Sequence, residues 1–127
     1  MASISGFGAT GPWRDFTAFG LVFEQASGAA SISGYRDEGI PRGFNAYSDA
    51  IIGQWAAVAI LGSLAYRRRS GEGQWLDVSA FECLSAFLGP ALAAYQLRGV
   101  KPERLGDRLV SAAPHNVYRC AGKDSWV

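Results

Sequence analysis

The chain has 127 residues, of which 49% are hydrophobic, and a formal net charge of +1. These values are typical of one globular unit with a sizeable apolar core. They argue against a nucleic-acid-binding domain, which carries excess positive charge spread over one face, whereas here positive charge is concentrated at Arg67, Arg68 and Arg69. We therefore expect no nucleic-acid partner.

The two cysteines indicate neither a metal site nor a disulfide framework. Cys83 and Cys120 are far apart and lack the spacing of metal ligands, so we expect no bound metal. They are as consistent with small apolar residues as with reactive thiols. The segment from Met1 to Gly6 lacks the basic region and apolar stretch of a secretory signal, so we expect a cytoplasmic location.

The first third of the chain predicts a strand, a short helix and a loop. A glycine-rich segment extends to about Trp13, and Ile4 is expected to end a strand within it. A helical pattern follows from about Thr17 to Ser27, and Gly28 can end that helix. Closely spaced turn-forming residues at positions 33–43 then predict an exposed loop.

A long apolar helix is predicted from about Ser48 to Arg69. Because it is apolar on all sides, we expect it in the centre of a folded protein. The alternative is a membrane-spanning helix, followed by three arginines as an anchor would be. Its apolar stretch is shorter than the roughly 20 residues that a span needs, and it contains Gln54 and several glycines and alanines. We therefore expect no membrane partner.

The second half predicts a strand, a third helix, a linker and a hairpin. Residues 74–79 alternate as a strand does, and a helix is expected from about Ala80 to Leu97. Glycines and a proline end that helix and open a charged linker. Residues 116–127 predict a strand, a turn and a second strand that is cut short. The predicted fold class is a helix-rich α/β fold.

Asp49 is the leading candidate for chemistry because it opens the long helix. The first turn of a helix has unpaired backbone N–H groups and the positive end of the helix dipole, which keep a carboxylate ionised. Asp49 could therefore act as a nucleophile. From the residues alone, the alternative is that Ser48 or Asp49 simply caps the helix.

Motifs along nearly the whole chain favour the first interpretation. An aspartate opens a helix of small residues, a basic helix end follows, and a Ser-Gly-x-Gly-Gln segment then leads into a strand. The segments are Asp49, Arg67–Arg69, Ser70–Gln74, Ser3–Gly8, Thr10–Trp13, Gln25–Gly28 and Pro114–Tyr118. In order and spacing they resemble the class III coenzyme A transferase family, also called CaiB/BaiF.

This resemblance implies a domain organisation. Members of the family have a large Rossmann-like domain and a smaller domain, and they usually form interlocked dimers. The chain resembles an interior stretch of about a third of a typical member. By this resemblance, residues 1–99 belong to the large domain, residues 100–113 form a linker, and residues 114–127 begin the small domain as a β-hairpin. We therefore expect a fragment that associates as a homodimer.

The resemblance also implies a reaction and its residues. Asp49 would be the catalytic nucleophile that passes coenzyme A between an acyl-CoA and a carboxylic acid, through an aspartyl-CoA thioester. Coenzyme A is then a substrate, and no permanently bound cofactor is implied. The candidate substrate- or CoA-binding residues are Thr17, Phe19, Gln25 and Ser48. Thr17 occupies a position where some transferases have a basic residue near coenzyme A. Gln25 and Ser48 could hydrogen-bond near the Asp49 carboxylate or a substrate, and the alternative is that each bonds only to local backbone groups. Since other parts of the family's site lie outside the matched stretch, we expect the chain alone to be inactive as a transferase, without turnover.

Two alternatives remain open. The family includes racemases of 2-methylacyl-CoA, which pair the aspartate with a histidine. Phe19 occupies that histidine position and cannot transfer a proton, and the single histidine, His115, lies far downstream, so the transferase branch is favoured. The other alternative is a non-enzymatic, self-associating module from a truncated or recombined gene.

Overall fold

A computed structural model describes residues 1–39 and 47–127. The elements are, in chain order, β1 (Ala2–Ser5), α1 (Gly20–Ala26), α2 (Ala29–Ile32), α3 (Tyr47–Ser70), β2 (Leu76–Ser79), α4 (Ala80–Phe87) and α5 (Gly89–Arg98). The predicted helix-rich α/β class is confirmed. The polar segment that leads into the long helix, through Ala46, lies outside the described residues.

The two strands form a parallel pair. Ala2 lies opposite Leu76, and Ser5 lies opposite Ser79. Parallel strands need a long crossover connection, which α1, α2 and α3 supply. The carboxyl ends of both strands therefore meet at one edge, where the glycine-rich segment faces the start of α4.

Hydrogen bonds fasten that glycine-rich segment to β2 and α4. The backbone N–H of Ala9 donates to Asp77 Oδ2 at 2.8 Å. The backbone N–H of Phe81 donates to the Gly6 carbonyl at 3.0 Å. Asp77 therefore has a structural role in holding the turn after β1.

The core lies where α1, α3 and α4 meet. Its buried members are Phe23, Ile52, Ala80 and Leu84, one or more from each of these helices. Burial of such apolar side chains is the main stabilising contribution to a small fold. Because this core includes Phe23 of α1 and Ile52 of α3, the start of α3 packs against α1. That packing determines the surroundings of Asp49.

Two predicted helices differ from the observed ones. The first begins at Gly20, three residues later than expected, and the chain continues past Gly28, which has a left-handed φ of 90°, into α2. The third is interrupted at Leu88, with Pro90 in the first turn of α5. Proline lacks the backbone N–H that a continuous helix needs and clashes with the preceding turn, so the single predicted helix was wrong there. Gly99 ends α5 with a φ of 65°.

The long helix forms as predicted, but its expected central position was wrong for this chain. In its most apolar 18-residue stretch only 17% of residues are buried, and Val58 and Leu61 are 66% and 65% exposed. By length and composition alone α3 could cross a membrane, a test that core helices of soluble proteins also pass. Gly71 follows its end with a φ of 78°.

The C-terminal segment packs back onto the loop before residue 40. Arg104 Nη1 donates to the carbonyls of Glu38 at 2.7 Å and Gly39 at 3.0 Å. Further along, Tyr118 and Val127 exchange backbone hydrogen bonds of 2.7 and 2.9 Å. The predicted hairpin is thus present as antiparallel pairing around one isolated bridge, and not as two strands. The division into domains stays a prediction.

Candidate active site

The candidate site is the place where the start of α3 meets the start of α1. Gly20, the first residue of α1, is buried. A Cβ atom added at Gly20 would lie 2.8 Å from Ser48 Oγ, and 3.1 and 3.2 Å from the two carboxylate oxygens of Asp49. The absence of a side chain at Gly20 therefore lets the two helices approach this closely.

Asp49 is exposed and lies in the first turn of α3, a helix of 24 residues. The positive end of the helix dipole stabilises a negative charge there. Among residues 1–39 and 47–127, no group donates a hydrogen bond to it and no cation pairs with it. A carboxylate in this setting has the charge and the exposure that nucleophilic attack requires.

Ser48, the residue before Asp49, faces the interior. It is fully buried, and its hydroxyl donates to Glu24 Oε1 on α1 at 3.2 Å. Within the part of the chain that the structure describes, no backbone N–H donates to the side chain of Ser48 or Asp49. The capping alternative therefore has no support in these contacts.

Glu24 is a second carboxylate at this junction. It is only 5% exposed, although buried carboxylates are uncommon unless paired. Burial, and then the negative charge of Glu24, raise the pKa of the Tyr47 phenol above its ordinary value. Glu24 therefore faces the first two residues of α3, Tyr47 and Ser48.

The other predicted site residues have different surroundings. Thr17 is exposed in the irregular segment before α1, and Phe19 is 85% exposed immediately before Gly20. Gln25 is exposed on α1, and its neighbour Glu24 makes the hydrogen bond at this junction. The structure thus brings Ser48 and Asp49 together with the start of α1, and it records no contact of Thr17 or Gln25 with Asp49 in the described residues.

Sequence reasoning missed two residues of the junction, Gly20 and Glu24. A signal for Glu24 was present, since a charged residue directly follows the apolar run Leu21, Val22 and Phe23. Such a residue on the inner side of a helix needs a buried partner. No comparable signal distinguishes Gly20 from the other 15 glycines, because its role depends on which helix packs against it.

An apolar groove lies elsewhere on α3. It has a volume of about 300 Å³ and is lined by Ile51, Gln54, Trp55, Val58 and Phe87. At 3.6 residues per turn, Ile51, Trp55 and Val58 lie on the side of α3 away from Asp49. The groove is therefore separate from the candidate nucleophile.

Comparison with known proteins identifies the family of the chain. Residues 1–127 match the family model for CoA-transferase family III. Succinyl-CoA–D-citramalate CoA-transferase of Chloroflexus aurantiacus is 37% identical over 99% of this chain and 31% of its own length. Succinate–glutarate CoA-transferase of Agrobacterium fabrum is 35% identical over 94% of this chain and 30% of its own length.

A solved structure agrees with these sequence matches. A CAIB/BAIF family protein from Brucella suis superposes with a TM-score of 0.89 at 28% identity, and the match covers 98% of this chain and 32% of that protein. The chain thus spans about a third of the length of the relatives that it matches. With the matched motifs running from end to end, the chain belongs to CoA-transferase family III.

Proposed function

We propose that this chain supplies the nucleophile of a CoA-transferase, and that Asp49 is that nucleophile. The observation that supports this proposal most directly is the exposed Asp49 carboxylate in the first turn of α3, which lies next to the backbone of Gly20. The names of the relatives, which transfer coenzyme A, support the same reaction class. The complete reaction would belong to a longer enzyme, since the relatives are about three times the length of this chain. We therefore expect no turnover by the chain alone, and the step that we propose for it is capture of the acyl group at Asp49.

The reaction proceeds in two symmetric halves. An Asp49 oxygen attacks the carbonyl carbon of an acyl-CoA thioester, which forms a mixed anhydride and releases coenzyme A as its thiolate. The thiolate then attacks the Asp49 carbonyl, giving an aspartyl-CoA thioester and the free first acid. An incoming carboxylate attacks this thioester and expels the thiolate, and the thiolate takes the new acyl group from Asp49. Asp49 is regenerated, and the thioester energy is conserved throughout.

The surroundings of Asp49 fit the demands of the first step. Each attack develops a negative oxygen that needs hydrogen-bond donors or a positive dipole nearby. The start of α3 offers the positive end of a long helix at the reacting carboxylate. By the resemblance, the remaining donors would come from segments of a longer enzyme.

The site argues against the racemase branch. Proton transfer at the α-carbon of an acyl-CoA needs an acid and a base on opposite sides of that carbon. Phe19, the residue next to Gly20 at the junction, is a phenyl ring and is 85% exposed. It can exclude water or contact an acyl chain, but it cannot donate or accept a proton.

We also propose that the chain self-associates. Large apolar side chains along α3 are exposed, among them Trp55 at 47% and Leu64 at 46%, and patches of this kind mark interaction surfaces. Light scattering at high protein concentration should report a dimer or a larger assembly. A monomeric mass would contradict this proposal.

Trapping the covalent intermediate tests the function. The chain is incubated with succinyl-CoA, chosen because the Chloroflexus relative is named for it, and then with hydroxylamine. An activated Asp49 becomes a hydroxamate, which mass spectrometry locates. The Chloroflexus transferase serves as a parallel sample. A hydroxamate at Asp49 supports the proposal, whereas an adduct in the relative alone would favour the non-enzymatic alternative for this chain.

A further inference from the structure

Glu24 is a buried carboxylate that the proposed reaction leaves unexplained. The buried polar residues in the described part of the chain are Glu24, Ser48 and Ser79. Ser79 caps α4 by accepting the backbone N–H of Glu82 at 3.3 Å. Glu24 and Ser48 cap no helix within the described residues; instead, the Ser48 hydroxyl donates to Glu24 Oε1. Burial of such groups costs free energy, so their pairing at this position calls for a reason.

The reason lies in the spacing along α1. Gly20 and Glu24 are four residues apart, so they occupy one face of the helix. Gly20 sets how closely α1 approaches Ser48 and Asp49, and Glu24 binds the Ser48 hydroxyl at 3.2 Å. The first turn of α3 is thus held by a steric contact and by a hydrogen bond, one helical turn apart.

We propose that Glu24 is a positioning residue: its hydrogen bond with Ser48 fixes the first turn of α3 and so holds the Asp49 carboxylate in place for attack. This inference rests on the proposed function, because it assigns Glu24 a role in the same reaction. Glu24 itself does not contact the reactants. Its contribution is to restrict the motion of the residue beside the nucleophile, and a nucleophile displaced by about 1 Å can react as much as a hundredfold more slowly.

The proposal predicts different effects for two substitutions. Glu24→Gln keeps an oxygen that can accept the Ser48 hydroxyl, whereas Glu24→Ala removes it. We expect Glu24→Ala to lower the maximal rate of Asp49 capture by about tenfold to a hundredfold, while the half-saturating acyl-CoA concentration changes little. Glu24→Gln should restore most of the rate. A merely structural role would lower the yield of folded protein in both variants without this rescue.

The experiment measures capture rates at several succinyl-CoA concentrations, with hydroxylamine trapping, for the wild type and both variants. Matched controls are Glu82→Ala and Glu82→Gln, since Glu82 is an exposed glutamate in the first turn of α4. Both controls should react at the wild-type rate. Equal losses in Glu24→Ala and Glu24→Gln, or wild-type capture in Glu24→Ala, would overturn the proposal.

A second measurement does not depend on activity. Carbon NMR of the tyrosine rings follows the Tyr47 titration, which is assigned with Tyr47→Phe. The negative charge of Glu24 contributes to the raised pKa of Tyr47, so Glu24→Gln should lower that pKa. An unchanged Tyr47 titration would contradict the placement of Glu24 at the start of α3. If the wild-type chain captures no acyl group, the proposed function fails, while this titration still decides whether the contact exists.

Discussion

Adding a single methyl group at Gly20 tests the geometry of the site most sharply. In Gly20→Ala the new Cβ would lie 2.8 Å from Ser48 Oγ, closer than such atoms normally approach. Ser48 is fully buried and bonded to Glu24, so its side chain has little freedom to move aside. The strain should therefore shift the first turn of α3 and, with it, the Asp49 carboxylate.

The change in the free energy of unfolding of Gly20→Ala follows from two opposing effects. Inserting a methyl group into a packed contact costs about 1–3 kcal/mol, and alanine gains at most about 1 kcal/mol over glycine within a helix. With the full alanine gain, we expect Gly20→Ala to lower the free energy of unfolding by about 0–2 kcal/mol. Because near-attack geometry is demanding, the rate of Asp49 capture should fall by about tenfold to a hundredfold.

Urea unfolding measures the stability, and hydroxylamine trapping with succinyl-CoA measures the rate. Gly62→Ala is the matched control, since a Cβ at Gly62 in α3 meets nothing within 4 Å. This control should be stabilised by up to about 1 kcal/mol and keep the wild-type capture rate. A folded Gly20→Ala variant that captures as fast as the wild type would refute the reasoning.

A double variant locates the strain. Removing the Ser48 hydroxyl eliminates the closest contact of the new methyl group. The stability loss of Gly20→Ala combined with Ser48→Ala should therefore be smaller than the sum of the two single losses. Strict additivity in urea unfolding would show that the methyl group is accommodated elsewhere.

Three other substitutions test the fold. Ser79→Ala removes the hydroxyl that accepts the Glu82 N–H and should cost about 1 kcal/mol in urea unfolding, and no loss would contradict the cap. Leu84→Ala empties a fully buried core position and should cost about 2–5 kcal/mol, whereas a loss near zero would contradict the assigned core. Gly106→Ala combines a φ of 58° with a Cβ only 2.6 Å from the Tyr35 ring, so limited proteolysis should cut residues 33–39 faster. An unchanged cleavage pattern would contradict that packing.

Sequence patterns predicted the elements better than their contacts. The strands around Ile4 and Val78, the long helix and the helix end at Gly99 follow from local periodicity and glycine chemistry. The break before Pro90 was missed because the apolar pattern continues on both sides of it. The missing N–H and the steric clash of the proline interrupt the helix there, although the apolar helical pattern continues through it.

The site was predictable only in part. Asp49 could be singled out because a carboxylate at a helix start has a defined electrostatic setting. The roles of Gly20 and Glu24 depend on the packing of α1 against α3, which are separated in the chain by 20 residues that include α2. No local pattern specifies that contact. The prediction that α3 is buried was wrong for this chain. Apolar composition indicates that a helix needs an apolar surface to pack against, but it does not show that the same chain provides that surface.

The most direct measurement compares Asp49→Asn with the wild type in the trapping experiment, with Asp15→Asn, an exposed aspartate, as the control. An amide nitrogen replaces one carboxylate oxygen and removes the nucleophilic charge, while the side chain keeps its size. We predict a hydroxamate at residue 49 in the wild type and in Asp15→Asn, and none in a folded Asp49→Asn protein. Undiminished acyl capture by Asp49→Asn, or a wild-type adduct at another residue, would contradict the central claim.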